Sequence, residues 1–255
     1  GLYQPAGASD SVPEDLFGSI LAVADRLDTL AGLFAIDQPP TGSKDPFALR
    51  RAAIGLLRLN ERSELKLDLE PWVLEAFNVQ PTDGSTDASL ALMQFVIDRE
   101  RVRLIESGYR HDVIVAVQAS NRLNTALTGA RVKALTDQLE SVEFAKLISS
   151  NKRVVNLLKN CDKPHCAISP SLFEHPSEEV LFQTATKVYQ DVERAVSRET
   201  YTEALQYLPE MKLETDAFFD HVMVNSENPK IKKNRLAICQ LVKDAYGRLA
   251  DLSLI

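Results

Sequence analysis

Glycine, cysteine and long apolar runs are all scarce in this chain of 255 residues, which has 10 glycines and 3 cysteines. No stretch approaches the run of about eighteen apolar residues that a membrane-spanning helix needs. The N-terminal GLYQPAGASD lacks the basic and then apolar order of a signal peptide. Cys161, Cys166 and Cys239 are too few and too unevenly spaced for a disulfide framework. We therefore expect free thiols and a soluble, cytoplasmic protein with no membrane partner.

Net positive charge is also absent, because 29 Lys and Arg residues stand against 36 Asp and Glu residues and give a formal net charge of -7 at pH 7. Nonspecific binding to nucleic acid scales with the number of phosphates that Lys and Arg neutralise. The charge balance therefore excludes binding by bulk attraction, and we expect no DNA partner. Any binding to RNA has to come from local basic patches.

Apolar residues, by contrast, make up 45% of the chain and recur at spacings of three and four, which is the pattern of amphipathic helices. The sequence therefore predicts an all-α protein built from helical bundles. The run VIVAV at 113–117 is rich in β-branched residues but has no partner run and no hairpin turn, so we predict helix there too. Four helices are predicted in the first half, at about 13–34, 45–60, 65–79 and 88–108.

Local signals place the start of the first two helices. Ser11 and Glu14 have capping-box spacing. Asp45 followed by Pro46 predicts an N-cap and a first turn, with Phe47 on the buried face of the helix that follows.

In the second half, an amphipathic stretch over 128–160 is predicted to bend near Ser149. After a proline-rich loop, Ser177 is expected to cap the first of three remaining helices. The last of these has the clearest signal, with Asn228 as its N-cap and Pro229 in its first turn. Its buried side is predicted to comprise Leu236, Cys239, Val242, Tyr246 and Leu249.

Two short motifs resemble metal sites without completing one. Cys161, His165 and Cys166 offer the ligand types that zinc prefers, but a structural site needs a fourth ligand at a customary spacing. His111 and Asp112 form the dipeptide with which metal-dependent phosphohydrolases hold a divalent cation, yet the only aspartates that could close such a site come before the dipeptide. We predict no metal site, and interpret His111 and Asp112 as a surface helix start.

Signals for catalysis are missing as well. The four histidines are scattered, and no Ser, His and Asp set can be assembled from them. TGSKDP at 41–46 has the letters of a phosphate loop but lacks the upstream glycine and the preceding strand. The sequence therefore predicts no catalytic residue and no cofactor in this chain.

Four local clusters of basic residues stand out in the acidic chain, and phosphate contacts need Lys and Arg that project from one surface. The clusters are Lys44 with Arg50 and Arg51; Arg99 with Arg101 and Arg103; Lys152 with Arg153; and Lys230, Lys232 and Lys233 with Arg235. Each taken alone is more often a solvated helix face than a nucleic-acid site.

Three motifs carry a resemblance to a known family. Residues 22–53, AVADRLDTLAGLFAIDQPPTGSKDPFALRRAA, resemble the ALADKLDTL and PTGSKDPFALRRAA signature of the β subunit of bacterial heterotetrameric glycyl-tRNA synthetase. The stretch from FFDHVMV at 218 through NRLA at 234–237 to the final SLI resembles the C-terminal part of that subunit. SSNKRVVNLLK at 149–159 resembles the ANKRVxNIL motif that opens a helical anticodon-binding domain of the type shared with arginyl-tRNA synthetase.

The resemblance implies a division into three regions. Residues 1–80 would be the C-terminal part of a degenerate HD-type helical domain, with Asp25 as a vestigial or structural carboxylate. Residues 81–145 would be a helical connecting region, and 146–255 an anticodon-binding, DALR-type helical bundle.

The resemblance also implies a function. The β subunit would bind tRNA(Gly) and support the ATP-dependent aminoacylation that a separate α subunit carries out with ATP and Mg in an α2β2 assembly. This chain would then be a non-catalytic portion of glycine–tRNA ligase. The expected tRNA-binding residues are Lys152, Arg153, Asn156, Lys232, Lys233, Asn234, Arg235, Lys44, Arg50 and Arg51.

Some alternatives stay open. Asn234 and Arg235 come directly before the buried stripe of the last helix, so bracing of the bundle is as well supported for them as contact with RNA. The whole chain could also be a structural module that joins subunits without touching RNA, or the remnant of a metal-dependent HD phosphohydrolase.

Overall fold

The computed structural model describes residues 12–13, 15–61, 65–81, 86–120, 124–159 and 167–255. Eleven α-helices and two short 3-10 helices form the regular structure of this part of the chain, which contains no strand beyond an isolated bridge between Thr41 and Lys44. The all-α prediction is confirmed, including helix at 113–117. None of the described helices is long and apolar enough to cross a membrane.

The α-helices are α1 (Leu16–Ala35), α2 (Leu49–Asn60), α3 (Leu69–Asn78), α4 (Thr86–Glu106), α5 (His111–Ser120), α6 (Thr125–Gln138), α7 (Val142–Lys159), α8 (Pro176–Ser197), α9 (Tyr201–Tyr207), α10 (Glu210–His221) and α11 (Pro229–Gly247). The 3-10 helices are Pro170–Leu172 and Leu252–Leu254.

The chain divides into two compact units, of which the first comprises Gly1–Ile114 and Asn121–Gly129. Its core lies between α1, α2, α3 and α4, where apolar side chains at helical spacing are fully buried. Gly55 allows a close approach of α1 to α2, because a Cβ at this position would lie 2.6 Å from Nε of Arg26.

The start of α2 shows how a predicted cap can act from outside the helix. The helix begins at Leu49, and the residue before it, Ala48, has a φ of 56°. The carboxylate of Asp45 nevertheless accepts hydrogen bonds from the N–H groups of Leu49 (2.8 Å) and Arg50 (3.0 Å). The predicted burial of Phe47 is wrong: its side chain is 49% exposed, because it lies in the turn that precedes the helix.

α1 is capped by Asp15, whose carboxylate accepts a hydrogen bond from the N–H of Gly18 at 2.6 Å. The capping box predicted at Ser11 and Glu14 lies outside the described residues.

The second unit comprises Val115–Ser120 and Ala130–Ile255. In it α8 packs against α9, α10 and α11, and α7 packs against α11. Phe218, Tyr246 and Leu147 are among its fully buried large side chains. Burial raises the pKa of the Tyr246 hydroxyl well above its ordinary value, so this group stays neutral.

The stretch predicted to bend near Ser149 instead forms two helices, α6 and α7, separated at 139–141. The break lies there because Ser141 caps α7, and its hydroxyl accepts a hydrogen bond from the N–H of Phe144 at 3.4 Å. Ser149 lies inside α7, where its hydroxyl donates to the carbonyl of Ala145 at 3.2 Å.

The cap of α8 was predicted two residues too late. His175, not Ser177, is the N-cap, because Nδ1 of His175 accepts a hydrogen bond from the N–H of Ser177 at 3.2 Å. Glu178 completes a capping box by accepting from the N–H of His175 at 2.9 Å.

Four α-helices, not three, follow that loop, since α9 and α10 are separate. Pro209 at the start of α10 has no N–H to continue the ladder of α9. The prediction for α11 is confirmed: Asn228 accepts a hydrogen bond from the N–H of Lys230 at 3.0 Å, and Pro229 is the first helical residue. The predicted inner side, Leu236, Cys239, Val242, Tyr246 and Leu249, is buried throughout.

Candidate nucleic-acid interface

The exposed face of α7 is basic from Lys146 to the end of the helix at Lys159. Lys146, Arg153 and Lys159 are exposed and Lys152 is partly exposed, whereas the helix has no Asp or Glu after Glu143. Within the part of the chain that the structure describes, none of these four basic side chains forms an ion pair with an Asp or Glu side chain. This face therefore keeps a net positive charge that an external anion can contact.

Local contacts hold three side chains on this face. Nζ of Lys152 donates to the backbone oxygen of Ile255 at 2.9 Å, and Nζ of Lys159 donates to Oδ1 of Asn156 at 3.3 Å. The guanidinium of Arg153 lies over the ring of Phe219, 4.4 Å from its centroid. The partners of Arg153 and Lys159 are neutral side chains, so they fix these two cations without cancelling their charge.

Arg153 and Phe219 also line a shallow depression of about 370 Å³ at one edge of this face. Met223 and Asn225, from the loop after α10, form its other side, and Met223 is 76% exposed. Aromatic rings and guanidinium planes at a surface can stack on unpaired nucleobases. The depression therefore combines an apolar floor with a cation.

Phe219 and Met223 were missed by the sequence analysis, although both belong to the FFDHVMV motif. A signal was available in the two consecutive phenylalanines. Successive residues of a helix point about 100° apart, so Phe218 occupies the core and Phe219 reaches the surface.

The structure places Asn234 and Arg235 inside the bundle. Asn234 is 2% exposed, and its amide accepts from the N–H of Ser169 (2.7 Å) and donates to the carbonyl of Ser169 (3.1 Å). Nε of Arg235 donates to Glu178 at 2.9 Å, and Nη1 donates to the carbonyl of Met223 at 3.0 Å. The geometry favours bracing: these two residues hold the loops before α8 and after α10.

The lysines that precede them lie on the first turns of α11. Lys230 and Lys233 are exposed, and Lys232 is partly exposed. Because Arg235 binds the carbonyl of Met223, the start of α11 is tied to the loop that borders the Arg153 depression. These lysines therefore remain candidates for phosphate contact.

The basic residues of the PTGSKDPFALRR motif take part in the connection between α1 and α2. The backbone N–H of Lys44 donates to the carbonyl of Thr41 at 2.8 Å, and Nη2 of Arg50 donates to the carbonyl of Gly42 at 2.5 Å. The side chains of Lys44 and Arg51 are exposed. The motif thus fixes a loop, and its contact with RNA stays a prediction.

The arginines on α4 differ from the basic residues of α7, because two of them form ion pairs with carboxylates. Arg103 forms a two-pronged ion pair with Glu61, and Arg101 pairs with Asp98 at 3.2 Å. Arg99 lies over the ring of Phe95, 5.7 Å from its centroid. Carboxylates of the first unit thus neutralise two of the three arginines.

The part of the chain that the structure describes contains no group of three or more His, Cys, Asp or Glu side chains able to hold a metal ion. Cys161, His165 and Cys166 lie outside the described residues. Asp112 pairs with Arg110 at 2.5 Å at the start of α5, and this hydrogen bond lowers the pKa of the carboxyl.

Family models match most of the chain. The model described as "Glycyl-tRNA synthetase beta subunit" matches residues 1–119, and the model described as "DALR anticodon binding domain" matches residues 147–248. The chain belongs to the glycyl-tRNA synthetase beta-subunit family. In this family member, the DALR match contains nearly all of the basic face of α7 and the whole of α11.

Curated relatives in the family agree with this assignment. The glycine–tRNA ligase beta subunit of Methylobacillus flagellatus is 39% identical over 253 residues, which are 98% of this chain and 36% of the relative. That of Photorhabdus laumondii is 40% identical over 257 residues, which are 99% of this chain and 37% of the relative. That of a Ruegeria species is 35% identical over 261 residues, with the same two shares. The chain thus spans little more than a third of the length of these beta subunits.

Proposed function

We propose that this chain is the tRNA-binding part of a glycine–tRNA ligase beta subunit and supports aminoacylation carried out by a separate α subunit in an α2β2 assembly. The ATP and Mg²⁺ of the reaction belong to that α subunit. One observation carries the proposal: four basic side chains lie on the exposed face of α7, none of them forms a salt bridge with an Asp or Glu side chain of the described residues, and three of them lie in a region that matches an anticodon-binding domain.

Phosphate contacts supply most of the affinity in this proposal. Lys146, Lys152 and Lys159 present ammonium groups along the exposed side of α7 and are separated by six and seven residues, which is nearly two helical turns in each step. Such contacts position the RNA backbone without reading its sequence. The lysines on the first turns of α11 extend the positive surface.

Base contacts supply the specificity. Unpaired bases of an RNA loop stack on aromatic or guanidinium planes and offer their edges to amide side chains. Arg153 over Phe219 provides the plane, and the exposed Asn156 on the same face provides the amide. This combination suits a single-stranded anticodon loop better than a duplex.

The experiment measures binding of the chain to tRNA(Gly), to tRNA(Gly) with an altered anticodon and to an unrelated tRNA at several salt concentrations. We expect salt-sensitive binding that weakens when the anticodon changes. The double variant Lys146→Gln/Lys159→Gln should lower the salt slope by about 0.7 to 0.9 for each phosphate that is no longer neutralised.

The matched control is Lys187→Gln/Lys212→Gln, which removes the same charge from lysines that pair with Glu210 and Asp216. It should leave the salt slope unchanged. Negligible binding of the unaltered chain to all three tRNAs would overturn the proposal.

An assembly role without RNA contact is the second candidate, and a specific surface in the first unit favours it. Leu16, Phe17 and Ile20 of α1 and Trp72 of α3 are exposed, and three of them line an apolar groove of about 300 Å³. Exposed apolar patches of this kind mark protein interfaces. If the assembly role is correct, Ile20→Glu should abolish co-purification with the α subunit, whereas Thr29→Glu on the same helix should not. The α7 variants would then leave tRNA binding unchanged.

A further inference from the structure

A polar cavity of about 440 Å³ lies in the second unit, on the opposite edge of α7 from the Arg153 depression. Its wall includes Asn151 and Val155 of α7, Tyr189 of α8, and Lys243 and Gly247 near the end of α11. Exposed residues such as Ala119 and Asp244 also line it, so the cavity opens to the surface. Its volume falls in the range of about 300–1,000 Å³ that is usual for small-ligand sites.

The side chain of Asn151 is the unusual group in this wall. It is 2% exposed, and its Oδ1 has no hydrogen-bond partner within the described part of the chain. Buried side-chain polar atoms are nearly always hydrogen-bonded, because an unsatisfied one destabilises the fold. A bound molecule that donates a hydrogen bond to Asn151 would remove this deficit.

One end of the cavity is a stacked wall of two planar groups. The guanidinium of Arg248 lies over the ring of Tyr189, 5.4 Å from its centroid, and forms an ion pair with Glu193. The charge of Arg248 is therefore neutralised, while the flat shape of the pair is kept. Aromatic and guanidinium planes are surfaces on which nucleobases stack.

The remaining charges of the lining favour a ligand whose part inside the cavity is uncharged. Asp244 accepts a hydrogen bond from Gln240 at 2.7 Å, and Asp251 accepts from the backbone N–H of Ser253 at 3.1 Å. Because Glu193 already balances Arg248, Asp244 and Asp251 stand against Lys243 alone, and such a lining does not favour a free phosphate. Lys243 forms no ion pair in the described residues and can contact an anionic group at the rim.

We propose that this cavity binds one nucleotide of the bound RNA, with the base hydrogen-bonded to the amide of Asn151 and the phosphate beside Lys243. The proposal rests on the tRNA-binding function proposed above. Lys152 follows Asn151 directly, so the basic face of α7 borders the cavity and can carry the RNA backbone past its mouth. Amide side chains are suited to the task, since they donate to and accept from a base edge at once.

Two variants separate this role from a structural one. Asn151→Leu keeps a similar volume and removes the amide; because Oδ1 has no partner, we expect an equal or higher melting temperature. Gly247→Leu fills the cavity, because an added Cβ there meets no atom within 4 Å. Each should weaken binding of a tRNA(Gly) anticodon stem–loop about tenfold, the usual effect of removing one base contact, with an unchanged salt slope.

Stem–loops with single abasic positions complete the test. In the unaltered chain, removal of one particular base should weaken binding about tenfold, and Asn151→Leu should show no further weakening with that same RNA. Removal of other bases should act equally on both proteins. If the unaltered chain binds none of the RNAs, the proposed tRNA-binding function itself is contradicted. If it binds and both variants match it on every RNA, the cavity holds only water and the inference is overturned.

Discussion

Arg235 of α11 and Glu178 of α8 form an ion pair at 2.9 Å in the interior of the second unit, where both side chains are almost fully buried. Glu178 also accepts hydrogen bonds from the N–H groups of Glu174 and His175, and Arg235 also donates to the carbonyl of Met223. A single buried pair thus fixes the cap of α8 and the loop that borders the Arg153 depression.

Removal of one partner should therefore destabilise the fold severely. Arg235→Met leaves the carboxylate of Glu178 buried without its cation, and such a change costs about 3–5 kcal/mol of unfolding free energy. Urea denaturation measures the change. Lys230→Met, an exposed position on the same helix, is the control and should shift the unfolding free energy by less than about 0.5 kcal/mol. The double variant Arg235→Met/Glu178→Gln should recover part of the stability, since it removes both charges and keeps an oxygen that accepts from the N–H groups of Glu174 and His175. Equal stability of Arg235→Met and the parent would contradict the assignment.

The same pair predicts a pH dependence. Burial alone would raise the pKa of Glu178, but hydrogen bonds from Arg235 and from the N–H groups of Glu174 and His175 outweigh it and lower the pKa below the ordinary value. A lowered folded-state pKa gives a contribution that is fully present above the unfolded pKa and is lost as pH falls through the folded pKa. The difference in unfolding free energy between the parent and Glu178→Gln should hold steady above about pH 5 and shrink below it, since an unfolded glutamate titrates near 4.3. A difference that stays constant under acid conditions would count against this origin.

The helix ends show which features can be predicted from sequence. Asn228 and Pro229 act within the first turn of α11, so a local pattern was sufficient to place that helix. The cap of α8 could not be found in this way, because Glu178 is held by Arg235, 57 residues further along the chain. The predicted cap, Ser177, and the observed cap, His175, lie on either side of Pro176, and the tertiary contact of Glu178 with Arg235 favours His175.

The residues of the candidate interface also fall into two groups: some were predicted from a local motif, and others depend on tertiary packing. Lys152, Arg153 and Asn156 were predicted from one contiguous motif, and all three side chains lie on or at the edge of one exposed face. Phe219 could not be paired with Arg153, because their contact depends on how α10 packs against α7. Asn234 and Arg235 belong to an equally clear motif, yet their burial became visible only with the loops that they brace.

Phe219 should contribute to RNA affinity by stacking. Phe219→Leu keeps an apolar side chain but removes the plane beneath Arg153, so affinity for the tRNA(Gly) anticodon stem–loop should fall by about 1–3 kcal/mol while the salt slope stays the same. Phe182→Leu is the matched control, because Phe182 contacts another aromatic ring, that of Phe173, elsewhere in the same unit. Fluorescence titration at two salt concentrations distinguishes the variants. An equal decrease for both substitutions would indicate a general effect on the bundle rather than stacking.

Asp45 should matter for the stability of the first unit. Its carboxylate accepts two backbone hydrogen bonds at the start of α2, and Ala48, the residue that precedes the helix, makes no side-chain cap of its own. Asp45→Ala should lower the unfolding free energy by about 1 kcal/mol, the usual effect of removing a cap, and Asp45→Asn should lower it less because an amide oxygen still accepts. Thermal melting of the two variants checks the order. The cap acts on the loop that contains Lys44 and that the side chain of Arg50 contacts. A decrease in the tRNA affinity of Asp45→Ala at temperatures where the chain is folded would therefore show that this loop contacts RNA. Unchanged affinity would assign the PTGSKDPFALRR motif to folding alone.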